Sequence, residues 1–146
     1  MSTNRFSRLM ELRRIQEESE AMVYSRNLAW MEGLRLRLQQ IDLETEQARE
    51  EVRRSQVSDS RLSPSMYENF FRGQMVRRRR LQISIQQARE EVQKSREVWH
   101  AARVQLKKTE KLQEKEKEKL DQEMQYRENK ELDMIGLLQI KDASLA

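Results

Sequence analysis

Hydrophobic residues in the first half of the chain recur at alternating steps of four and three, which is the heptad pattern of a coiled coil. One seam with this spacing, in which two members are polar, comprises Leu34, Leu38, Ile41, Thr45, Ala48, Val52 and Ser55. Upstream of that seam, we expect the stripe to continue through Leu12, Ser19, Val23 and Trp30. From Trp30 through Leu34 to Leu38 the spacing is four residues twice in succession, which predicts a local shift of register that relaxes the left-handed supercoil.

The second half of the chain carries a longer seam of the same spacing. It runs without a break through Leu81, Ile85, Ala88, Val92, Ser95, Trp99, Ala102, Leu106 and Thr109. The stripe then thins and recovers, with members at Leu112, Leu120, Met124, Leu132, Ile135 and Leu138. Gly136 lies within this last stretch, and we expect it to weaken or end the helix.

A turn separates the two seams. The segment between Ser55 and Ser65 holds the only proline and several serines, and Ser63 followed by Pro64 is typical of a helix start. Because a short turn makes two long helices antiparallel neighbours, the sequence predicts an all-α fold, namely a long antiparallel two-helix coiled coil or α-helical hairpin. We expect a single domain over residues 1–146, with a first helix at 5–57, a turn at 58–63, a second helix at 64–138 and a tail at 139–146.

The predicted hairpin leaves the second helix longer than the first. Pairing Leu34 with Ala88 places seam against seam, and the same register brings Arg5 near Lys117. Residues beyond that point have no partner within the chain, so we expect an overhang of about 30 Å. The overhang carries the apolar residues Leu132, Met134, Ile135, Leu137, Leu138 and Ile140. Apolar side chains on an unpaired helix predict a protein-binding surface.

Composition supports a helical protein and narrows its chemistry. The chain is 37% charged and 36% hydrophobic, and it has three glycines, one proline and no cysteine. The lack of cysteine excludes disulfides and thiolate metal sites. His100 is the only histidine, and the sequence has no metal-ligand pattern and no glycine-rich phosphate loop. A two-helix coiled coil also offers no cleft in which a carboxylate could be activated, so we expect neither enzyme activity nor a cofactor.

The sequence also bears on location. No apolar run approaches the ~20 residues that a membrane-spanning helix needs, and the N-terminus lacks the apolar core of a signal peptide. We therefore expect a cytoplasmic protein. The net charge of +4 is a modest basic bias that favours acidic partners, but it does not by itself indicate nucleic-acid binding.

The run of four arginines at residues 77–80 has two interpretations. Such a run is a candidate nucleic-acid patch. In the hairpin register, however, it faces Asp42, Glu44 and Glu46, and we favour neutralisation across the two helices. Four consecutive residues also spread around the whole helix, so they do not form one stripe that could follow a phosphate backbone.

An aromatic cluster follows the turn and also leaves two interpretations open. Tyr67, Phe70 and Phe71 could pack at the hairpin tip against Val52 and Ser55. They could equally anchor a partner, because Phe70 and Phe71 point about 100° apart around the helix and one of them should be exposed.

Three separated segments carry a family resemblance. The first is the start of the chain, with Arg5, Phe6, Leu9, Leu12 and Arg13. The second is Met-Tyr-Glu-Asn-Phe-Phe at residues 66–71, and the third is Arg-Glu-Asn-Lys-Glu-Leu-Asp at residues 127–133. Their order and spacing resemble the FliJ family of flagellar type III export stalk proteins, which is related to the YscO-type stalk proteins of injectisomes. With the position of the turn, the resemblance covers nearly the whole chain.

The resemblance implies a non-enzymatic stalk that binds the hexameric export ATPase and couples it to the cytoplasmic domain of the export gate. It also implies export chaperones as partners, and a peripheral location at the inner face of the cell membrane through the export apparatus. Carried over residue by residue, the ATPase-binding positions are Arg5, Phe6, Leu9, Leu12, Arg13, Glu128, Lys130, Glu131, Leu132 and Asp133. The gate-binding positions are Leu38, Ile41, Tyr67, Phe70 and Phe71.

One departure and two alternatives accompany the resemblance. The family places an apolar residue one turn after the aromatic segment, whereas this chain has Gln74 there. A generic scaffold coiled coil that forms homodimers is the first alternative, and sedimentation would distinguish it. A basic helical protein that binds nucleic acid is the second, and it requires affinity that falls steeply with added salt.

Overall fold

The computed structural model describes residues 5–57 and 64–145. They form two α-helices, α1 over Ser7–Val57 and α2 over Pro64–Leu145, with no strand in these ranges. The prediction of an all-α helical hairpin is confirmed. The predicted turn at 58–63, with the proposed helix cap at Ser63, lies outside the described residues.

The chain divides into two compact units. The expectation of a single coiled-coil domain stays a prediction. The first unit combines Met1–Glu17 with Ala101–Ala146, and the second spans Glu18–His100. In a seam between two helices, each side chain packs only against its immediate neighbours. Burial is therefore local along the described helices.

The core of the second unit is a small cluster across the two helices. Leu34, Ile85 and Ala88 are buried together, and Ala88 has no exposed surface. Three half-buried residues pack against the cluster: Met31, Leu38 and Leu81. The predicted pairing of Leu34 with Ala88 therefore holds, and the seam positions of α2 from residue 81 to residue 109 are all buried or half-buried.

The predicted seam of α1 upstream of Leu34 is wrong. Leu12 and Trp30 are 64% and 45% exposed, and Val23 is also exposed. The alternation of four and three instead continues without a shift of register through Met31, Asn27, Tyr24, Glu20, Glu17, Arg13 and Met10, all of which are buried or half-buried. A helix that keeps one face toward a neighbour keeps its heptad phase, even where polar residues occupy the seam.

Polar and aromatic contacts hold this part of the second unit. The Asn27 side-chain amide donates a hydrogen bond to the backbone carbonyl of Glu91, at 3.4 Å. The rings of Tyr24 and Trp99 stack with centroids 5.4 Å apart and planes inclined by 16°. These contacts take the place of the aliphatic seam that the sequence was expected to supply at this level.

Two expectations for the later part of α2 also need correction. Leu112 is exposed, and the half-buried positions there are Gln113 and Glu116, which continue the heptad phase of Thr109. The helix does not end at residue 138, because it passes through Gly136 to Leu145. Gly136 has a negative φ, so its backbone is compatible with a continuous α-helix.

Candidate protein-binding surfaces

The start of α1 packs beside α2 within the first unit. The Met10 amide donates to the Phe6 carbonyl at 2.8 Å, and the Arg5 guanidinium lies 5.6 Å from the centroid of the Phe6 ring. This ring lines a cleft of about 410 Å³ together with Gln113, Glu114, Glu116, Lys117 and Leu120. A half-buried aromatic with an adjacent arginine is thus held at the beginning of the helix.

Leu9, Leu12 and Arg13 do not share one environment. Leu9 and Leu12 are exposed, and the buried apolar residue between them is Met10, which the sequence analysis missed. Arg13 lies half-buried in the seam. Its Nη1 donates to Oε1 of Gln16 at 3.3 Å, whereas its Nε is buried without a hydrogen bond to any described residue. The heptad phase of Leu34, followed upstream, would have identified Met10 and Arg13 as seam residues.

The C-terminal residues of the predicted ATPase-binding set are all exposed on α2: Glu128, Lys130, Glu131, Leu132 and Asp133. They do not meet the N-terminal residues of that set. Phe6 lines a cleft with Leu120, and the helical rise from Leu120 to Leu132 is about 18 Å. The structure therefore places the two halves of the set in one unit but at different levels along the helix.

Residues 132–140 form the most apolar exposed stretch of the chain, which we call the C-terminal apolar segment. Its exposed apolar side chains are Leu132, Met134, Ile135, Leu137, Leu138 and Ile140, each at least 52% exposed. No charged residue occurs from residue 134 to residue 140. Because successive residues are 100° apart, these side chains surround much of the helix rather than one stripe.

The predicted gate-binding aromatics lie at the start of α2, in the second unit. The rings of Phe70 and Phe71 meet edge to face, with centroids 5.7 Å apart and planes inclined by 69°. Phe70 is 39% exposed, whereas Tyr67 and Phe71 are half-buried, which agrees with the expectation that one phenylalanine faces solvent. Tyr67 and Phe70 line a cleft of about 420 Å³ with Met66, Glu44, Gln47, Ala48 and Glu51.

Leu38 and Ile41 lie in the seam between the helices. Leu38 packs against the core cluster, and Ile41 is half-buried. The Ile41 carbonyl accepts a hydrogen bond from the Thr45 hydroxyl at 2.7 Å and a second from the Gln74 side-chain amide at 3.4 Å. These two residues thus contribute to the packing between the two helices.

Gln74, the departure from the family pattern, is a buried polar residue. It is only 3% exposed, and its Nε2 also lies 3.3 Å from the hydroxyl oxygen of Thr45. A polar side chain in an otherwise apolar seam fixes the register of two helices, because a slipped pairing would leave its amide without partners. The residue therefore faces the neighbouring helix and not a partner.

The arginine run is neutralised across the helices at one position. The Arg78 Nε lies 3.0 Å from the Asp42 carboxylate, as the hairpin register predicted. The Arg77 Nη1 instead donates to the side-chain Oε1 of Gln74 at 3.5 Å, and Glu46 pairs with Arg49. Arg79 and Arg80 line a cleft of about 500 Å³ on α2.

These features can be compared with known proteins. The family model described as "Flagellar FliJ protein" matches residues 1–143. The chain belongs to the FliJ family. No curated protein and no solved structure matches it.

Membership in the FliJ family makes this chain a non-enzymatic component of the flagellar type III export apparatus. The family resemblance that the three sequence segments indicated is therefore confirmed. Along the described helices, no stretch combines the length and the apolar character that a membrane crossing requires.

Proposed function

We propose that this FliJ-family chain acts as a stalk that binds the hexameric export ATPase through its first unit and the cytoplasmic domain of the export gate through its second. Export chaperones are further proposed partners on the family resemblance. In this proposal, the protein lies on the cytoplasmic side and associates peripherally with the inner face of the cell membrane through the export apparatus.

The C-terminal apolar segment is the observation that carries the proposal. Burying a leucine or isoleucine side chain contributes about 1.5–3 kcal/mol of free energy. Burial of the whole segment in a partner would therefore stabilise a complex strongly. Apolar side chains on several sides of one helix favour a partner that surrounds it. The pore of a ring-shaped hexamer is such a partner.

The charged residues just before this segment and at its start would supply polar contacts at the rim of the proposed site. Glu128, Lys130, Glu131 and Asp133 are all exposed, and three of the four are acidic. Exposed charges of this kind add specificity and association rate more than affinity. Arg5, Phe6, Leu9, Leu12 and Arg13 would contact the ATPase at the separate level beside Leu120.

The gate contact is proposed for the aromatics at the start of α2. Phe70 offers an exposed ring, and the edge-to-face contact with Phe71 limits its freedom before binding. Tyr67 lines the adjoining cleft with Phe70, so a partner side chain could enter beside both rings. Leu38 and Ile41 would act from within the seam, by holding this surface in place.

The proposed mechanism is mechanical. A helix seated inside the ATPase ring contacts the subunits unequally at any moment, and it therefore biases the conformations of those subunits. Such contacts would promote ring assembly and ATP turnover, while hydrolysis remains with the ATPase.

The direct test is a chain that ends at Gln125. We expect the remaining helices to stay folded, because the removed residues from Tyr126 to Ser144 are exposed, apart from the half-buried Gly136, and add nothing to the seam. Binding to the purified export ATPase should be lost. Circular dichroism would report the helices, and a pulldown or surface plasmon resonance would report binding.

A matched control replaces the exposed Leu112, which lies in the same unit, with Asp and should bind as the unaltered chain does. Unchanged ATPase binding by the shortened chain, with its helicity retained, would refute the proposal. Sedimentation of the full chain provides a second check. A stable homodimer that does not bind the ATPase would instead favour a scaffold coiled coil.

A further inference from the structure

The outer face of α2 in the second unit combines arginines with exposed apolar side chains. We call it the basic–apolar face, and its members are Arg72, Met75, Val76, Arg79, Arg80 and Ile83. Their spacing of three, four and seven residues places them on one side of the helix. They line a cleft of about 500 Å³, to which Arg78 and Gln82 also contribute.

The apolar members of this face are open to solvent. Met75 is 71% exposed, Ile83 is 56% exposed and Val76 is 47% exposed. These side chains lie outside the seam, in which Gln74 is buried and Leu81 is half-buried. Met75 also lines a second cleft of about 500 Å³ with Phe71. Methionine adapts its shape to different neighbours, so Met75 suits a surface that receives a partner side chain.

The charge of the face is of one sign. All the charged residues that line the cleft are arginines. Arg78 pairs with Asp42, and Arg72 pairs with Glu68 at 3.2 Å with both side chains highly exposed. No ion pair joins Arg79 or Arg80 to an acidic side chain within residues 5–57 and 64–145. These two guanidinium groups are therefore available to carboxylates of a partner.

We propose that the basic–apolar face binds an acidic amphipathic helix of a partner protein, with the partner's apolar residues on Met75, Val76 and Ile83. The partner's carboxylates would pair with Arg79 and Arg80, since a planar guanidinium matches a carboxylate in bidentate geometry. None of these residues belongs to the proposed ATPase-binding or gate-binding sets, and the proposal gives a role to the arginine run.

Two other partners fit the observations less well. A nucleic-acid backbone would pair with the arginines, but its phosphates would make no favourable contact with the exposed apolar side chains between them. An anionic bilayer could bind both the arginines and the exposed apolar side chains. However, the face is only about 17 Å long, whereas helices that lie on a membrane present a longer apolar stripe.

The test uses the full chain and a synthetic helical peptide whose leucines lie on one face and whose glutamates flank them. Fluorescence anisotropy would report its binding at physiological salt. A peptide of the same composition in permuted order, which lacks an apolar face, controls for charge alone. We expect the patterned peptide to bind at least about tenfold more tightly than the permuted one.

Substitutions then locate the site. Exchanging Arg79→Glu together with Arg80→Glu should weaken binding about tenfold or more, and Met75→Ser with Ile83→Ser should weaken it by a similar factor. Arg96→Glu, an exposed arginine elsewhere on α2, is the matched control and should change the affinity less than about twofold. Thermal unfolding of each variant would verify that the fold is retained.

Three results would overturn the proposal. One is equal affinity for the patterned and permuted peptides, and another is binding that survives both double substitutions. The third is tighter binding to phosphatidylglycerol vesicles or duplex DNA than to the patterned peptide, lost on charge reversal at Arg79 and Arg80. That outcome would assign the face to a membrane or to a nucleic acid.

Discussion

At the scale of single residues, burial follows heptad position more closely than it follows hydrophobicity. Gln74 is 3% exposed, whereas Trp30 is 45% exposed. A two-helix seam has room for one narrow row of side chains from each helix, so a residue one position off the row stays outside it. A polar residue within the row must then find its hydrogen bonds there.

Gln74 allows a direct measurement of what such a residue contributes. Gln74→Leu should raise the free energy of unfolding by about 1 kcal/mol, because it exchanges long hydrogen bonds for apolar burial. The Thr45 hydroxyl keeps its 2.7 Å bond to Ile41, so no buried donor loses its partner. Urea unfolding followed by circular dichroism would measure the change.

Gln74→Ala is the companion variant, and it should lower the free energy of unfolding by about 1–2 kcal/mol because it leaves a gap in the seam. If Gln74→Leu proved less stable than the unaltered chain, the hydrogen bonds to Ile41 and Thr45 would outweigh the gain from apolar burial.

Ala88 tests how closely the helices approach in the core of the second unit. Its side chain has no exposed surface beside Leu34 and Ile85, so Ala88→Leu must push the helices apart. We expect a loss of about 1–3 kcal/mol in the free energy of unfolding. The matched control is Ala29→Leu on the exposed side of α1, which should leave stability within about 0.5 kcal/mol. Equal effects from the two substitutions would contradict the packing described for Ala88.

At the scale of helices, the sequence was most informative where aliphatic residues dominate the seam. The spacing from Leu81 to Thr109 predicted the buried face of α2, and the proline at residue 64 predicted the first residue of that helix. The prediction for α1 was wrong upstream of Leu34, because Trp30 and Val23 are more hydrophobic than Asn27 and Glu20, which occupy the seam. Extending the fixed heptad phase from the aliphatic part would have given the right face.

The candidate sites were predictable to a lesser degree. The pattern alone indicated that the apolar residues of the overhang and one of the two phenylalanines would be exposed, as they are. The pattern also placed Leu38 in the seam, and the heptad phase of Leu34, followed upstream, would have placed Arg13 there. It could not separate Arg78, which pairs with Asp42, from Arg79, which does not.

Gly136 was expected to weaken or end α2, and its place inside the helix leads to a prediction. An added Cβ would meet no atom within 4 Å, and the backbone is already helical. Gly136→Ala should therefore stabilise the local helix by about 1 kcal/mol, because alanine restricts the unfolded chain more than glycine does. Hydrogen exchange at residues 132–140 should slow accordingly.

Gly136→Pro provides the contrasting variant, since proline removes a helical hydrogen bond and clashes with the preceding turn. Exchange in the same segment should accelerate. If the alanine variant exchanged no more slowly than the unaltered chain, the helix would not persist through this position in solution.

At the scale of the whole molecule, the two proposed binding functions belong to different compact units. All the proposed ATPase-binding residues lie in the first unit, and all the proposed gate-binding residues lie in the second. The exposed members contribute little to the seam of their own unit. Substituting an exposed member should therefore weaken binding to one partner and leave binding to the other unchanged.

This separation predicts that binding to each partner can be weakened without affecting the other. Leu132→Asp with Leu137→Asp should weaken ATPase binding at least about tenfold and leave gate binding unchanged, because charges are introduced only into the C-terminal apolar segment. Phe70→Ala should have the reverse effect, because it removes the exposed ring beside Phe71. Titration of each purified variant with the ATPase and, separately, with the cytoplasmic domain of the gate would measure both affinities. Loss of both partners in a single variant that retains its helicity would mean that the two surfaces do not act separately.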